Sequence, residues 1–214
     1  MDFLNYLQRD SDRLLELSLQ HLSVVLVALA AGTAIAVVLG IVVARRPRLR
    51  SVAIGSTGLV LTVPSFAMYA LLVPLLGLGR TSVIVALVLY SLLPIVRNTV
   101  TGLLGVDPAV VESAKGVGMG PMRRLLRIEL PLAWPVVLAG IRVSAVLLVG
   151  IAALGAIVRG PGLGELLFAG LRTIGSPNAV NLALAGTLLV VVIAVVLDVC
   201  FLALRRVTTS KGLR

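Results

Sequence analysis

The chain has 214 residues, of which 59% are hydrophobic and 13% charged, with a formal net charge of +10. That charge density is about half the ~25% of a soluble globular domain, and long stretches carry no charge at all, so lipid is the expected solvent for most of the chain. The basic excess does not point to nucleic acid, because aromatic residues are only 4% and the basic residues avoid the long apolar stretches except at Arg97 and Arg142. They fit as topology determinants and as contacts to anionic headgroups.

Met1 to Gln20 is polar, with Asp2, Asp10, Asp12 and Glu16 against Arg9 and Arg13. A cleavable signal peptide would begin with a basic stretch, so the first membrane helix is expected to remain in the mature protein. That span runs from about Leu22 to Ala44 and covers roughly the 30 Å hydrocarbon thickness. His21, at its outer end, reads as an interfacial helix-end residue, and Arg45, Arg46, Arg48 and Arg50 close the other end. Ser51 to Gly79 is uncharged but too long for one straight span, and it reads as one broken helix, or two short pieces, with the break near Pro64.

A third span lies between Arg80 and about Leu104, with Pro94 inside it and Arg97 and Asn98 toward its far end. A polar segment from Gly105 to Leu130 follows, and Pro131 to Val158 is then apolar apart from Arg142. A Gly- and Pro-containing stretch, Arg159 to Asn178, precedes a fifth span at about Asn181 to Leu204, which contains Asp198 and Cys200. A lone cysteine allows no internal disulfide. Arginine and lysine are retained on the cytoplasmic face. Twelve of the nineteen basic residues fall on one side and five on the other when the N-terminus is placed outside, Arg97 and Arg142 being within spans. The prediction is an all-α membrane protein of about five transmembrane helices, one of them broken, N-out and C-in. It forms a single transmembrane domain over 1–214, with an outer segment 1–20, a cytoplasmic loop at about 105–130 and a cytoplasmic tail at about 205–214.

The 105–130 loop has readable local physics. Asp107 is a good N-cap and Pro108 suits the first helical position. Gly116, Gly118 and Gly120 each disfavour continuation by about 1 kcal/mol relative to alanine, so a bend is expected. Gly120-Pro121 should restart a second short helix, Met122 to Ile128, carrying Arg123, Arg124 and Arg127, before Pro131 leads back into the membrane. By physics alone the result is either an ordinary solvated loop or a compact knob suited to a groove in a partner.

Glu112-Ser113-Ala114, three residues, Gly118, nine residues, and Ile128-Glu129-Leu130-Pro131 resemble the EAA loop of binding-protein-dependent ABC importer permeases, written E-A-A-x3-G-x9-I-x-L-P. Only the second position departs, serine for alanine. The resemblance implies a type I importer permease fold in a bacterial inner membrane. It also implies that the loop docks on an ATPase, with Glu112, Ser113, Ala114, Gly118, Ile128, Leu130 and Pro131 as the coupling set. The chain itself would bind no cofactor, ATP and Mg²⁺ belonging to the ATPase.

Further along, Thr62-Val63-Pro64-Ser65, Tyr90 to Thr99, Val106-Asp107-Pro108, Leu130-Pro131-Leu132, Ala139-Gly140-Ile141-Arg142 and Gly160-Pro161-Gly162-Leu163-Gly164 resemble the osmoprotectant branch, whose members import glycine betaine, choline or carnitine. The last of these departs from the more usual Gly-Ala-Gly-Gly-Leu-Gly. Implied partners are two ATPase subunits, a second copy or a homologous permease, an extracytoplasmic substrate-binding protein and membrane lipid, with no nucleic acid. Other readings are a permease for methionine or ergothioneine, and an ATP-independent carrier or channel, which would leave the coupling loop unexplained.

The break at Pro64 frees a backbone carbonyl, tolerated inside a membrane only against protein or water. Thr62, Pro64, Ser65, Phe66, Tyr69 and Asn98 are therefore candidates for the translocation path or gate, against the alternative of a kink filled by packing. Phe66 and Tyr69, three residues apart, could offer a quaternary ammonium a weak aromatic contact. Arg97, Arg142 and Asp198 should face protein or water. An Arg142–Asp198 pair is possible, and any arginine beside a path for cations has to be neutralised.

Overall fold

The computed structural model describes residues 3–209, so Lys211 and Arg214 of the basic tail lie outside the described residues. Among these residues every regular element is helical. α1 spans Phe3–Arg9 and α2 spans Ser11–Ala44, the latter 34 residues. At 1.5 Å per residue α2 is roughly 50 Å long, well beyond the hydrocarbon thickness. The polar beginning of the chain is thus helix, not a separate segment. Leu14 and Leu17 place an apolar stripe on it that packs with Tyr6, Leu163, Leu166 and Ala185 in a second small core.

α3 (Pro47–Thr62) and α4 (Ser65–Leu76) form the predicted broken helix, bent by 98°. The break has local causes. Val63, which precedes proline, is pushed to an extended conformation (φ −66°, ψ 125°). The Val60 carbonyl, which loses a donor at Pro64, accepts Val63 N–H at 3.2 Å, and the Val63 carbonyl accepts the Tyr90 hydroxyl at 2.7 Å.

α5 (Arg80–Leu104) is the centre of the bundle, with α2 on one side and α8 (Leu130–Leu154) on the other. Membrane helices have little hydrophobic drive to associate, so close approach depends on small residues. A Cβ at Gly40 on α2 would lie 2.7 Å from Thr99, and one at Gly140 on α8 would lie 2.8 Å from the Pro94 carbonyl. Ser144 adds an interhelical bond, donating to the Ser91 carbonyl at 3.1 Å.

α6 (Pro108–Gly116) and α7 (Pro121–Arg124) make the knob. The second knob helix does not end at Ile128 as expected. α7 runs through a π-helical turn, Leu125–Glu129, straight into α8, so Pro131 is interior to a continuous helix and the widened turn just before it is where the regular hydrogen-bond ladder is interrupted. The stretch between the fourth and fifth spans holds one more helix, α9 (Gly164–Arg172), before α10 (Ala179–Thr208). Four helical stretches are long and apolar enough to cross a membrane, and the bent α3–α4 pair makes a fifth. His21 is not a helix-end residue: it is fully buried well inside α2, its Nε2 3.1 Å from the Val149 carbonyl.

Candidate coupling surface and membrane path

The knob begins where the Asp107 carboxylate accepts the Ala109 N–H at 2.8 Å, a true N-cap. Ala114 is buried against the rest of the knob, while Glu112 and Ser113 are exposed. The Lys115 ammonium donates to Glu112 at 2.6 Å and holds that carboxyl below its usual range. Ser113 returns its hydroxyl to the Ala109 carbonyl at 2.8 Å. Gly118 stands at φ +78°, in the left-handed region, where a side chain would be strained. No atom lies within 4 Å of where a Cβ at Gly116, Gly118 or Gly120 would sit, so the chain itself leaves the bend open. Around it Val117 is 76% and Met122 67% exposed.

Ile128 and Leu130 are partly buried at the π turn, and Pro131 is exposed beside it. Between Ile128 and Leu130 is a residue that the motif leaves open, and the structure gives it a role. Glu129 is 2% exposed, accepts Arg45 at 2.6 Å from the end of α2, and accepts Arg124 Nε at 2.8 Å from α7. A buried carboxylate stands only when paired and hydrogen-bonded. The Arg45–Glu129–Arg124 clamp therefore ties the knob to the membrane bundle. Charge counting had used Arg45 and Arg124 only as topology markers. The one signal was an acid in a run otherwise basic or apolar.

The path candidates separate. Thr62 donates back to the Leu59 carbonyl at 2.7 Å and is exposed, with Pro64 also exposed and Ser65 partly buried at the start of α4. Phe66 is 50% exposed, whereas Tyr69 is buried and donates to the Ile151 carbonyl at 3.0 Å, so the two rings share no environment. Asn98 donates to the Pro94 carbonyl at 2.8 Å and lies against Gly140 at the α5–α8 crossing. Arg97 is exposed. Arg142 and Asp198 form a bidentate pair between α8 and α10, with distances of 2.6 and 2.8 Å. Spacing could not decide it, since 56 residues separate the partners.

The chain thus combines a bent second span, a glycine-hinged knob that carries the Glu112 to Pro131 motif, and a bundle centred on α5. Residues 36–209 match the family described as "binding-protein-dependent transport system inner membrane component", and the chain belongs to it. It is a multi-pass inner-membrane permease subunit. Among curated proteins it is 39% identical to the choline transport system permease protein OpuBB of Bacillus subtilis, over 98% of this chain and 94% of that one. It is 38% identical to the glycine betaine/carnitine/choline permease OpuCB of the same organism, covering 99% and 95%. With the osmoprotectant import permease OsmW of Salmonella typhimurium it shares 37% over the full length of both. Among solved structures the inward-facing MetNI methionine ABC transporter matches with a TM-score of 0.80 at 21% identity, covering 92% of this chain and 96% of that one. At that identity the likeness speaks for the fold.

Proposed function

We propose that this chain is the permease subunit of an ATP-driven importer for quaternary-ammonium osmoprotectants: glycine betaine, choline, carnitine or proline betaine. The carrying observation is end-to-end identity of 37–39% with three permeases named for choline, glycine betaine and carnitine, or osmoprotectant import. The methionine reading has only a shared fold behind it, and a carrier without ATP leaves the knob without a purpose.

In this reading the chain lies N-out and C-in, pairs with a second copy or a homologous permease, and docks two ATPase subunits that hold ATP and Mg²⁺. A loaded extracytoplasmic binding protein delivers substrate to the outer face. ATP-driven closure of the ATPases moves the knob, and the Glu129 clamp carries that movement into α2 and α8, so the bundle rocks between outward and inward openings. Glu112, Ser113, Ala114 and Gly118 meet the ATPase, while Ile128, Leu130 and Pro131 form the elbow to α8. Thr62, Pro64, Ser65, Phe66, Tyr69 and Asn98 line or support the path at the break and the α5–α8 crossing.

The test is uptake of labelled glycine betaine and choline into proteoliposomes holding the chain with its ATPase and binding protein. ATP-dependent accumulation of either, lost without this chain, is expected. Uptake of methionine with neither of them would overturn the substrate.

A further inference from the structure

Arg142 is the thirteenth residue of the 25-residue α8, at the middle of a spanning helix. Its side chain and that of Asp198 remain 35% and 33% exposed. They form one wall of a groove of about 350 Å³ between α8 and α10, completed by Val143, Phe201, Leu202 and Arg205. Charged groups one-third exposed at the middle of a spanning helix are costly against hydrocarbon, and such groups face protein or water. The volume lies at the small end of the ~300–1,000 Å³ of small-molecule sites.

The groove carries a specific charge pattern: two guanidinium groups, one carboxylate and one aromatic ring. A bare cation gains little beside this net positive set. A zwitterion matches it at both ends. Its carboxylate can exchange with Asp198 on the planar fork of Arg142, which suits carboxylates bidentately. Its quaternary nitrogen has no N–H and cannot compete for hydrogen bonds, but it is attracted by the displaced Asp198 carboxylate and the Phe201 face. The closed Arg142–Asp198 pair competes with the ligand throughout, which keeps binding weak, as a transit site requires.

We propose that the α8–α10 groove is a water-filled transit site for zwitterionic betaines, with Arg142 and Arg205 taking the carboxylate and Asp198 and Phe201 the quaternary ammonium. This rests on the osmoprotectant reading above and narrows it, favouring carboxylate-bearing betaines over choline at this point of the path.

The test uses the complete transporter in proteoliposomes with Cys200→Ser, which removes the exposed native thiol, and single Val143→Cys or Leu202→Cys substitutions that leave the ion pair intact. A membrane-impermeant thiol reagent on both sides should label both positions. Glycine betaine should slow labelling about tenfold more than choline, the difference expected of one charge-assisted carboxylate contact. Arg142→Gln should abolish that preference. Failure of the reagent to label either position, with or without nucleotide, would overturn the transit site even where glycine betaine uptake is intact. So would protection by anionic lipid but not by betaine, or equal protection by choline. Absent uptake of any betaine by the parent complex instead overturns the substrate reading, because labelling is measured without transport.

Discussion

At the end of the bundle that carries α9, Leu163, Leu166 and His21 are fully buried, whereas at the end that carries α6, Val117 and Met122 stand 76% and 67% exposed. The loop that leads into α9 is packed by its own chain. Gly162 (φ +119°) lays the loop against His21, a Cβ at Gly164 would collide with the Ala153 carbonyl, and the Gly79 N–H donates to the Val158 carbonyl at 2.7 Å. The knob end keeps its glycines in open space and spends its buried charge on a single clamp, Arg45–Glu129–Arg124. At the α9 end the loops pack on the chain itself, although Leu171 and Ile174 stay exposed beyond them, whereas the glycine bend of the knob packs on nothing in the chain.

Substitutions can break that contrast. The largest effect is expected from Glu129→Ala, which strands the Arg124 guanidinium, 10% exposed, without its acid. A loss of about 3 kcal/mol follows from breaking a buried pair, read as a lower melting temperature of the detergent-solubilised subunit. Arg45→Ala removes only the arm that is 55% exposed and should cost under about 1 kcal/mol. Equal losses from the two would mean that Glu129 is not anchored on the knob side.

Next in size is Gly164→Ala, whose methyl meets backbone that cannot move aside. Overpacking of this kind should cost about 2–3 kcal/mol, and an unchanged melting temperature would contradict the close packing of α9 on Ala153.

Gly118→Val inverts the pattern. The left-handed strain is worth only ~1–2 kcal/mol, and no neighbour is displaced. The subunit should stay folded in the membrane while ATP-dependent uptake falls by tenfold or more, the cost of about 1.4 kcal/mol of lost docking. Unchanged uptake in proteoliposomes would remove the bend from the coupling surface.

The smallest effect concerns Glu112. Lys115 holds its carboxyl below the ordinary glutamate range, so the pair's contribution is present above that range and fades as the pH falls through the folded pKa. Lys115→Ala should return the carboxyl to the ordinary glutamate range, as followed by NMR of labelled glutamate, with little loss of stability at neutral pH for so exposed a pair. A titration that does not move would mean that the pair does not form in solution.

Much of the fold was legible because its causes are local. The spans follow from uninterrupted apolar runs, the break from Pro64, and the knob's start and bend from Asp107-Pro108 and Gly118. α9 was missed because Gly160, Pro161 and Gly162 read as loop, and nothing local announces that Gly164 to Arg172 pack on α10. His21 reads as interfacial because the α2 stripe of Leu14 and Leu17, which carries the helix outward past it, lies in a segment whose composition is polar.

By itself, the sequence determined that the chain lies in a membrane, how many times its helices are long enough to cross, and where the motif shared with its family falls. Hydropathy, caps and breakers act over a few residues, and the coupling motif is contiguous. The tertiary structure decided the pairings: Arg142 with Asp198, Glu129 with Arg45 and Arg124, His21 with the Val149 carbonyl. Each joins residues on different helices, or across a turn whose π geometry no propensity announces. In a chain with so few charges, the choice of partner depends on helix approach through small residues such as Gly40 and Gly140, and only the assembled bundle sets it.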